Sequence, residues 1–167
     1  MYKHILIPTD GSALSRKAIA NGVKLAKSVG ARVTGLFAAP PATPVVYEHH
    51  VPVGYMSPPQ HAEMIEKTAA KYLGIIEQAA KHAGVRCQCI HLTSDFPADA
   101  ILAAAKQRKC DLIFMASHGR RGLAGVLLGS ETQKVLTHSR IPVLVSPSLA
   151  RRTAGHRAGR QLVSIDA

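Results

Sequence analysis

The chain has no tryptophan, and aromatic residues make up only 4% of its 167 positions. A core must therefore be filled by Ala, Val, Ile and Leu. Such side chains suit parallel strands covered by Ala-rich helices. No apolar run reaches the roughly 18 residues that a membrane span needs. The opening Met1-Tyr2-Lys3-His4-Ile5 enters a strand-like run at once, without the long apolar stretch and cleavage site of a signal peptide. A cytoplasmic location is the expectation. Cysteine is sparse and odd in number: Cys87, Cys89 and Cys110. That excludes a disulfide framework. Cys87 and Cys89 share one face of a strand-like segment. A CxC pair without nearby partners is weak evidence for metal or redox chemistry, so they read as buried reduced thiols.

Acidic residues are few, with 10 against 21 Lys and Arg, a formal net charge of +11. Nucleic acid is the first partner such a balance suggests. The charges are spread along the chain, however, and no dense Lys/Arg run with interleaved aromatics occurs, which argues against it. A site for polyanionic phosphates suits the same balance. The usual nucleotide fingerprints are missing too. There is no GxxxxGK[ST] and no GxGxxG after the first strand. A P-loop NTPase is excluded and an ordinary dinucleotide fold disfavoured.

What is present is a strict alternation. His4-Ile5-Leu6-Ile7-Pro8 reads as a first strand ending in the turn Thr9-Asp10-Gly11-Ser12. Ser12 is a natural N-cap for a helix carrying Ala18, Ile19, Gly22, Val23, Ala26 and Val29, stopped by Gly30. Residues 31–38 form the second strand. Residues 39–60, with prolines at 40, 41, 44, 52, 58 and 59, read as a loop. A helix with Ile65, Ala69, Tyr72, Ile76, Ala79 and Ala83 follows, ended by Gly84. Further elements are a strand at 85–92, a helix at 97–107 with Ser94 or Asp95 near its cap, a strand at 112–116, a helix at 130–139 and a strand at 141–145. This order predicts a five-stranded parallel sheet, doubly wound, with helices on both faces and right-handed crossovers. One domain over 1–147 and a basic, flexible tail over 148–167 are expected. No internal repeat is visible.

Ligands of such sheets bind beyond the C-terminal strand ends where the strand order reverses. That places interest on Asp10-Gly11-Ser12 and on 117–130. Phosphates bind where backbone N–H groups converge at a helix N-terminus. Gly119, Gly122, Gly125 and Gly129 allow close backbone approach. Ser130 opens the next helix, and its hydroxyl suits a phosphate or a metal ion. Arg120 and Arg121 add positive charge. Read as structure alone, the same loop is only a connection, and Asp10 only a turn cap. His118 suits a positioning role, since no second acid or nucleophile stands beside it in sequence. His49, His50 and His61 are too loosely spaced for a metal cluster and read as solvated.

The stretches Ile5-Leu6-Ile7-Pro8-Thr9-Asp10-Gly11-Ser12, Met115-Ala116-Ser117-His118-Gly119-Arg120-Arg121-Gly122, Leu127-Leu128-Gly129-Ser130, Val135-Leu136 and Ile141-Pro142-Val143-Leu144-Val145 resemble the universal stress protein family over residues 1 to 147. Nucleotide-binding members carry Gly-x2-Gly-x9-Gly-Ser/Thr. Here Gly119, nine following residues and Gly129-Ser130 match, while Ala116 stands at the first glycine.

The resemblance implies a Rossmann-like fold of the adenine-nucleotide α-hydrolase type. It also implies a stress-response sensor or regulator that binds ATP, ADP or AMP, with Mg facing Ser130 through phosphate. The implied nucleotide set is Pro8, Thr9, Asp10, Ala38, Met115, Ala116, His118, Gly119, Arg120, Gly122, Gly129, Ser130 and Glu131. Asp10 would meet the adenosine end, Ala38 the adenine through its backbone, and Gly119, Arg120, Gly129, Ser130 and Glu131 the phosphates. Glu131 suits a phosphate poorly by charge, unless a cation intervenes or only its backbone contributes. A homodimer through Ile141 to Val145 is also implied. Two other readings stand beside this one. Ala116 and Glu131 favour a protein-interaction module of the non-nucleotide branch. A slow ATPase is the other reading, although no general base is evident.

Overall fold

The computed structural model describes residues 1–42, 57–119 and 128–147. Among the described residues five strands and four helices alternate: β1 (His4–Thr9), α1 (Ala13–Val29), β2 (Arg32–Ala39), α2 (Pro58–Ala83), β3 (Cys87–Thr93), α3 (Pro97–Gln107), β4 (Leu112–Ala116), α4 (Ser130–His138) and β5 (Val143–Ser146). All strands pair in parallel, in the order β3-β2-β1-β4-β5. The α/β, doubly wound expectation is therefore the observed architecture. The chain builds outward from β1 in one direction, then returns to β4 on its other side. The order reverses between β1 and β4.

Alternation along the central strands divides the core. Ile5 and Ile7 pack with Ala18, Ile19, Val23, Ile65, Ala69 and Ile76 of α1 and α2. Leu6 and Leu36 face the other way, onto Ala98, Ile101 and Ala104 of α3 and Val135 of α4. Small side chains let the helices sit close to the sheet. Gly22 is one such point, since a Cβ there would lie 2.8 Å from Ile7 Cδ1.

Element ends differ from the sequence expectation for identifiable reasons. Gly30 and Gly84 stop their helices in the left-handed conformation, at φ 68 and φ 70. Each is followed by a residue whose N–H reaches back into the helix: Ala31 to Ala26 O at 2.8 Å, Val85 to Ala80 O at 2.9 Å. These are Schellman closures, so Ala31 and Val85 belong to caps, and β2 and β3 begin later than expected. Pro58 and Pro59 correct the loop expectation for 39–60. They occupy the first turn of α2, where a missing N–H costs nothing. Ser57 caps that helix, and its backbone N–H donates to the Gln60 side chain at 2.9 Å. β5 is shifted to Val143–Ser146 because Ser139 and Ile141 close a turn, with the Ile141 N–H on Ser139 Oγ at 3.2 Å. The three cysteines are free. Cys110 is buried, whereas Cys87 and Cys89 are only half-buried.

Candidate functional site

A cleft of about 900 Å³ opens at the C-terminal ends of β1 and β4, where the strand order reverses. Its floor is laid by Pro8, Thr9 and Asp10 after β1 and by Met115, Ala116, His118 and Gly119 after β4. The start of α4 (Gly129, Ser130 and Glu131) forms one wall, and Ala38 of β2 lies on the other side. These eleven residues are all among those singled out from the sequence. Arg120 and Gly122, also singled out, lie outside the described residues, as do Arg121, Gly125, His49, His50 and the 148–167 tail. His61 sits on α2 and is not among the residues lining the cleft.

The β1 turn is built locally. The Thr9 hydroxyl accepts the Gly11 N–H at 3.2 Å, and Asp10 Oδ1 accepts the Ser12 N–H at 3.0 Å. Ser12 then caps α1 by accepting the Ser15 N–H at 3.1 Å. Gly11 takes φ 78. A Cβ there would land on the Tyr72 ring. Glycine is thus required twice, by conformation and by contact.

The β4 side is equally specific. A Cβ on Gly119 would lie 2.7 Å from Asp10 Oδ2, so a side chain there would displace the carboxylate. The Gly129 N–H donates to Ser117 O at 2.8 Å. A Cβ on Gly129 would meet His118 Cα and Ser117 O at 3.4 Å. Gly129 has the ordinary φ of −69 and those distances are ordinary van der Waals contacts, so neither backbone conformation nor packing within the protein demands glycine there. The Thr132 hydroxyl donates to Ala116 O at 3.1 Å, locking α4 onto the end of β4. The first-turn N–H groups of α4 have no acceptor within their own helix.

Charge in the cleft is arranged unexpectedly. The described lining holds Asp10, Asp95 and Glu131 and no Lys or Arg. The Glu131 side chain is engaged by protein partners. Its Oε2 accepts the Ala98 N–H at 2.9 Å and its Oε1 accepts from Lys134 at 3.1 Å. It acts as the missing cap of α3, whose N-cap residue is Phe96, not Ser94 or Asp95. Ser94 instead accepts the Phe96 N–H at 3.1 Å. His118 is buried. Its Nδ1 lies 3.3 Å from Ser117 Oγ, while its Nε2 has no hydrogen-bond partner among the described residues. That ring nitrogen is an orphan polar atom beside the cleft. No three His, Cys, Asp or Glu among the described residues could hold a metal ion.

Several lining residues escaped the sequence reading. Phe37 and Tyr72 meet edge to face, with centroids 5.3 Å apart. With Ile65 and Thr68 they make an apolar wall. Tyr72 follows the helical spacing of a core residue, so periodicity alone could not separate the two roles. Thr132 carries no signal in the sequence, and Asp95 and Leu128 read there only as a residue near the α3 cap and as part of a family-like stretch. Their signal is long-range packing, not local pattern.

Comparison with known proteins agrees with this geometry. The profile of the universal stress protein family matches residues 1–147. A universal stress protein of Methanocaldococcus jannaschii is 30% identical over 145 residues, covering 87% of this chain and 82% of that protein. The Bacillus subtilis universal stress protein YxiE is 32% identical over 150 residues, covering 87% and 99%. Among solved structures, universal stress protein UspA of Lactobacillus plantarum superposes with a TM-score of 0.68 at 25% identity, covering 86% and 97%. Two others share the fold. One is a universal stress protein in complex with cAMP (TM-score 0.62, 24% identity, 87% and 97% covered). The other is an Archaeoglobus fulgidus universal stress protein in complex with dAMP (TM-score 0.58, 18% identity, 86% and 97% covered). On the family profile and the identity to these relatives, this chain belongs to the universal stress protein family.

Proposed function

We propose that this protein binds an adenine nucleotide, ATP with Mg in the first instance, in the cleft between β1, β4 and α4. The observation that carries the reading is the placing of Asp10 and the Gly129–Ser130 helix start along one cleft of about 900 Å³. That is room for a nucleotide-sized ligand. Asp10 suits the ribose hydroxyls as an acceptor. Ala38 offers backbone groups to the base, beside the Phe37–Tyr72 wall. The N-terminus of α4 suits phosphate through its free N–H groups and helix dipole. The Glu131 carboxylate, held by Ala98 and Lys134, does not need to approach that phosphate. Mg would arrive on the phosphates, with Ser130 Oγ facing it. The cAMP and dAMP complexes belong to proteins of the same fold and are consistent with this use of the cleft.

The role is that of a stress-response regulator with at most slow ATP hydrolysis. A homodimer would use β5, an edge strand among the described residues, where Leu144 is 40% exposed. The test begins with gentle purification, denaturation, and ion-exchange chromatography of the released nucleotides. The expected result is a near-stoichiometric adenine nucleotide peak that disappears in Gly129→Val. If none is released and Mg-ATP gives no calorimetric signal, the second reading takes over. That reading, a protein-interaction module, is favoured by the acidic described lining and by the Ala116 methyl group.

A further inference from the structure

The half-buried thiols of Cys87 and Cys89 lie on one face of β3, with their sulfur atoms 3.9 Å apart. β3 is an edge strand, paired only with β2 among the described residues. The pair sits over Gly35 of β2, where a Cβ would be 2.6 Å from Cys89 Sγ and 2.9 Å from Ile76 Cδ1. The absence of a side chain at Gly35 is what admits the second thiol. From these placements we propose that Cys87 and Cys89 form a peroxide-reactive dithiol that closes to a reversible disulfide. It is a modification site separate from the cleft and independent of the nucleotide reading.

The two sulfurs are not equivalent. Cys87 is drawn below the usual thiol value, first by its contact with the Cys89 sulfur and then by the Gly35 backbone, against the opposing pull of burial and of the Glu77 charge. Cys89 is pushed up, first by its contact with the Cys87 sulfur, then by burial and by Glu77, and its S–H donates to the Leu73 carbonyl oxygen at 3.8 Å. The thiolate is the nucleophile in such chemistry; the Cys89 proton is engaged by the Leu73 carbonyl, so Cys87 attacks. Its sulfur takes the distal oxygen of a hydroperoxide, the O–O bond breaks, and the released alkoxide or hydroxide takes up a proton. Cys87 is now a sulfenic acid. This removes the neighbouring Cys87 thiolate, whose contact was the largest cause of the raised Cys89 pKa. The Cys89 sulfur then attacks the Cys87 sulfur. The S–S bond forms, the S–O bond breaks, and hydroxide leaves as water with the Cys89 proton. Two thiols are oxidised by two electrons and the peroxide is reduced to an alcohol or water.

Geometry favours reversal. Residues i and i+2 of a strand have Cα atoms about 6.6 Å apart, near the upper limit for a disulfide. Closing the sulfurs must pinch the strand, and strained bridges are the labile ones. An edge strand yields to such a pinch more easily than a central one.

The test uses the full chain carrying Cys110→Ser, which leaves only the two thiols in question. Hydrogen peroxide is added, remaining thiols are alkylated, and the protein is digested with trypsin. The peptide running from Cys87 to Lys106 contains both sulfurs and no other. The expected result is a peptide lighter by two hydrogens and unalkylated, restored to two alkylated thiols by dithiothreitol. With Cys89→Ser added, oxidation should stop at sulfenic or sulfinic acid. With Cys87→Ser added, reaction should slow about tenfold or more. Far-UV circular dichroism confirms that each variant is folded. Two alkylated thiols after peroxide treatment would overturn the proposal, as would a bridge found only between two chains.

Discussion

The Glu131 carboxylate accepts a hydrogen bond from the Ala98 backbone N–H at 2.9 Å, across 33 residues of sequence. It joins the first turn of α4 to the first turn of α3. Phe96, at the N-cap of α3, has no side chain able to do that work. Glu131→Ala should therefore destabilise the protein by about 1–2 kcal/mol, the usual range for a lost cap. Glu131→Gln keeps an acceptor and should lose less than half of that. Lys134→Ala should change little, because its 3.1 Å pair with Glu131 is largely exposed. Thermal unfolding checks all three, with Glu131→Ala melting about 3–6 °C lower.

Two glycines of the same fold should respond to alanine with opposite sign. Gly11 has φ 78 and faces the Tyr72 ring. Alanine there must adopt an unfavourable conformation and move the ring, at about 2–4 kcal/mol. Gly74 lies inside α2 with nothing within 4 Å of its Cβ direction. Gly74→Ala should stabilise by about 0.5–1 kcal/mol through helix propensity. Urea denaturation of the two variants reads both effects. An equal response would refute the placing of Tyr72 against Gly11.

Most of this architecture was legible in the sequence, and what was not has a physical pattern. Gly30 and Gly84 announced the ends of α1 and α2 because each stop needs a left-handed residue. Pro97 announced the start of α3. The loop reading of Pro58 and Pro59 failed because proline breaks a helix interior but suits its first turn, and the deciding signal was the Ser57–Gln60 box. Local pattern placed the cleft, since both of its floor segments follow strands at the reversal of strand order. It could not assign the Glu131 side chain, whose partner is on another helix. It could not distinguish Tyr72 as cleft wall from Tyr72 as core, since one helical face supplies both.

Acid should weaken the fold in two steps, beginning with His4. The ring is buried, with Nε2 2.8 Å from Thr34 Oγ1 and Nδ1 without a partner among the described residues. Burial, followed by the Arg32 charge, lowers its pKa below the ordinary 6.5, while Asp111 opposes this. The unfolded chain then binds the proton more readily than the folded one. Stability is full above pH 6.5 and declines as pH falls from there to the folded-state value. Asp111 acts lower down. Burial raises it, but the N–H groups of Lys3 and His4 together outweigh burial and hold it below 3.8. Its contribution is present above 3.8 and lost as pH falls through its own folded value. Denaturant titrations between about pH 7 and 5 should show a flatter profile for His4→Gln than for the parent. Parallel profiles would remove His4 as the cause.

The last prediction concerns the methyl group at Ala116. This residue ends β4, is 9% exposed, and lines the cleft. By the resemblance of the sequence, it falls at the first glycine of the motif carried by nucleotide-binding members. Removing one methyl group from the floor of the cleft gives a ligand room at a cost to the empty protein. Ala116→Gly should lower stability by about 0.5–1 kcal/mol, as glycine does in a strand. If the base or ribose sits against β4, the same change should tighten Mg-ATP binding about three- to tenfold, the equivalent of roughly 1 kcal/mol of relieved crowding. Ala116→Val should do the opposite and weaken binding by at least as much. Calorimetric titration of the three proteins gives affinity and stoichiometry together. Affinity that follows side-chain size at 116 places the nucleotide against the end of β4. Affinity indifferent to that size would move the ligand away from Ala116 and toward the Phe37–Tyr72 wall.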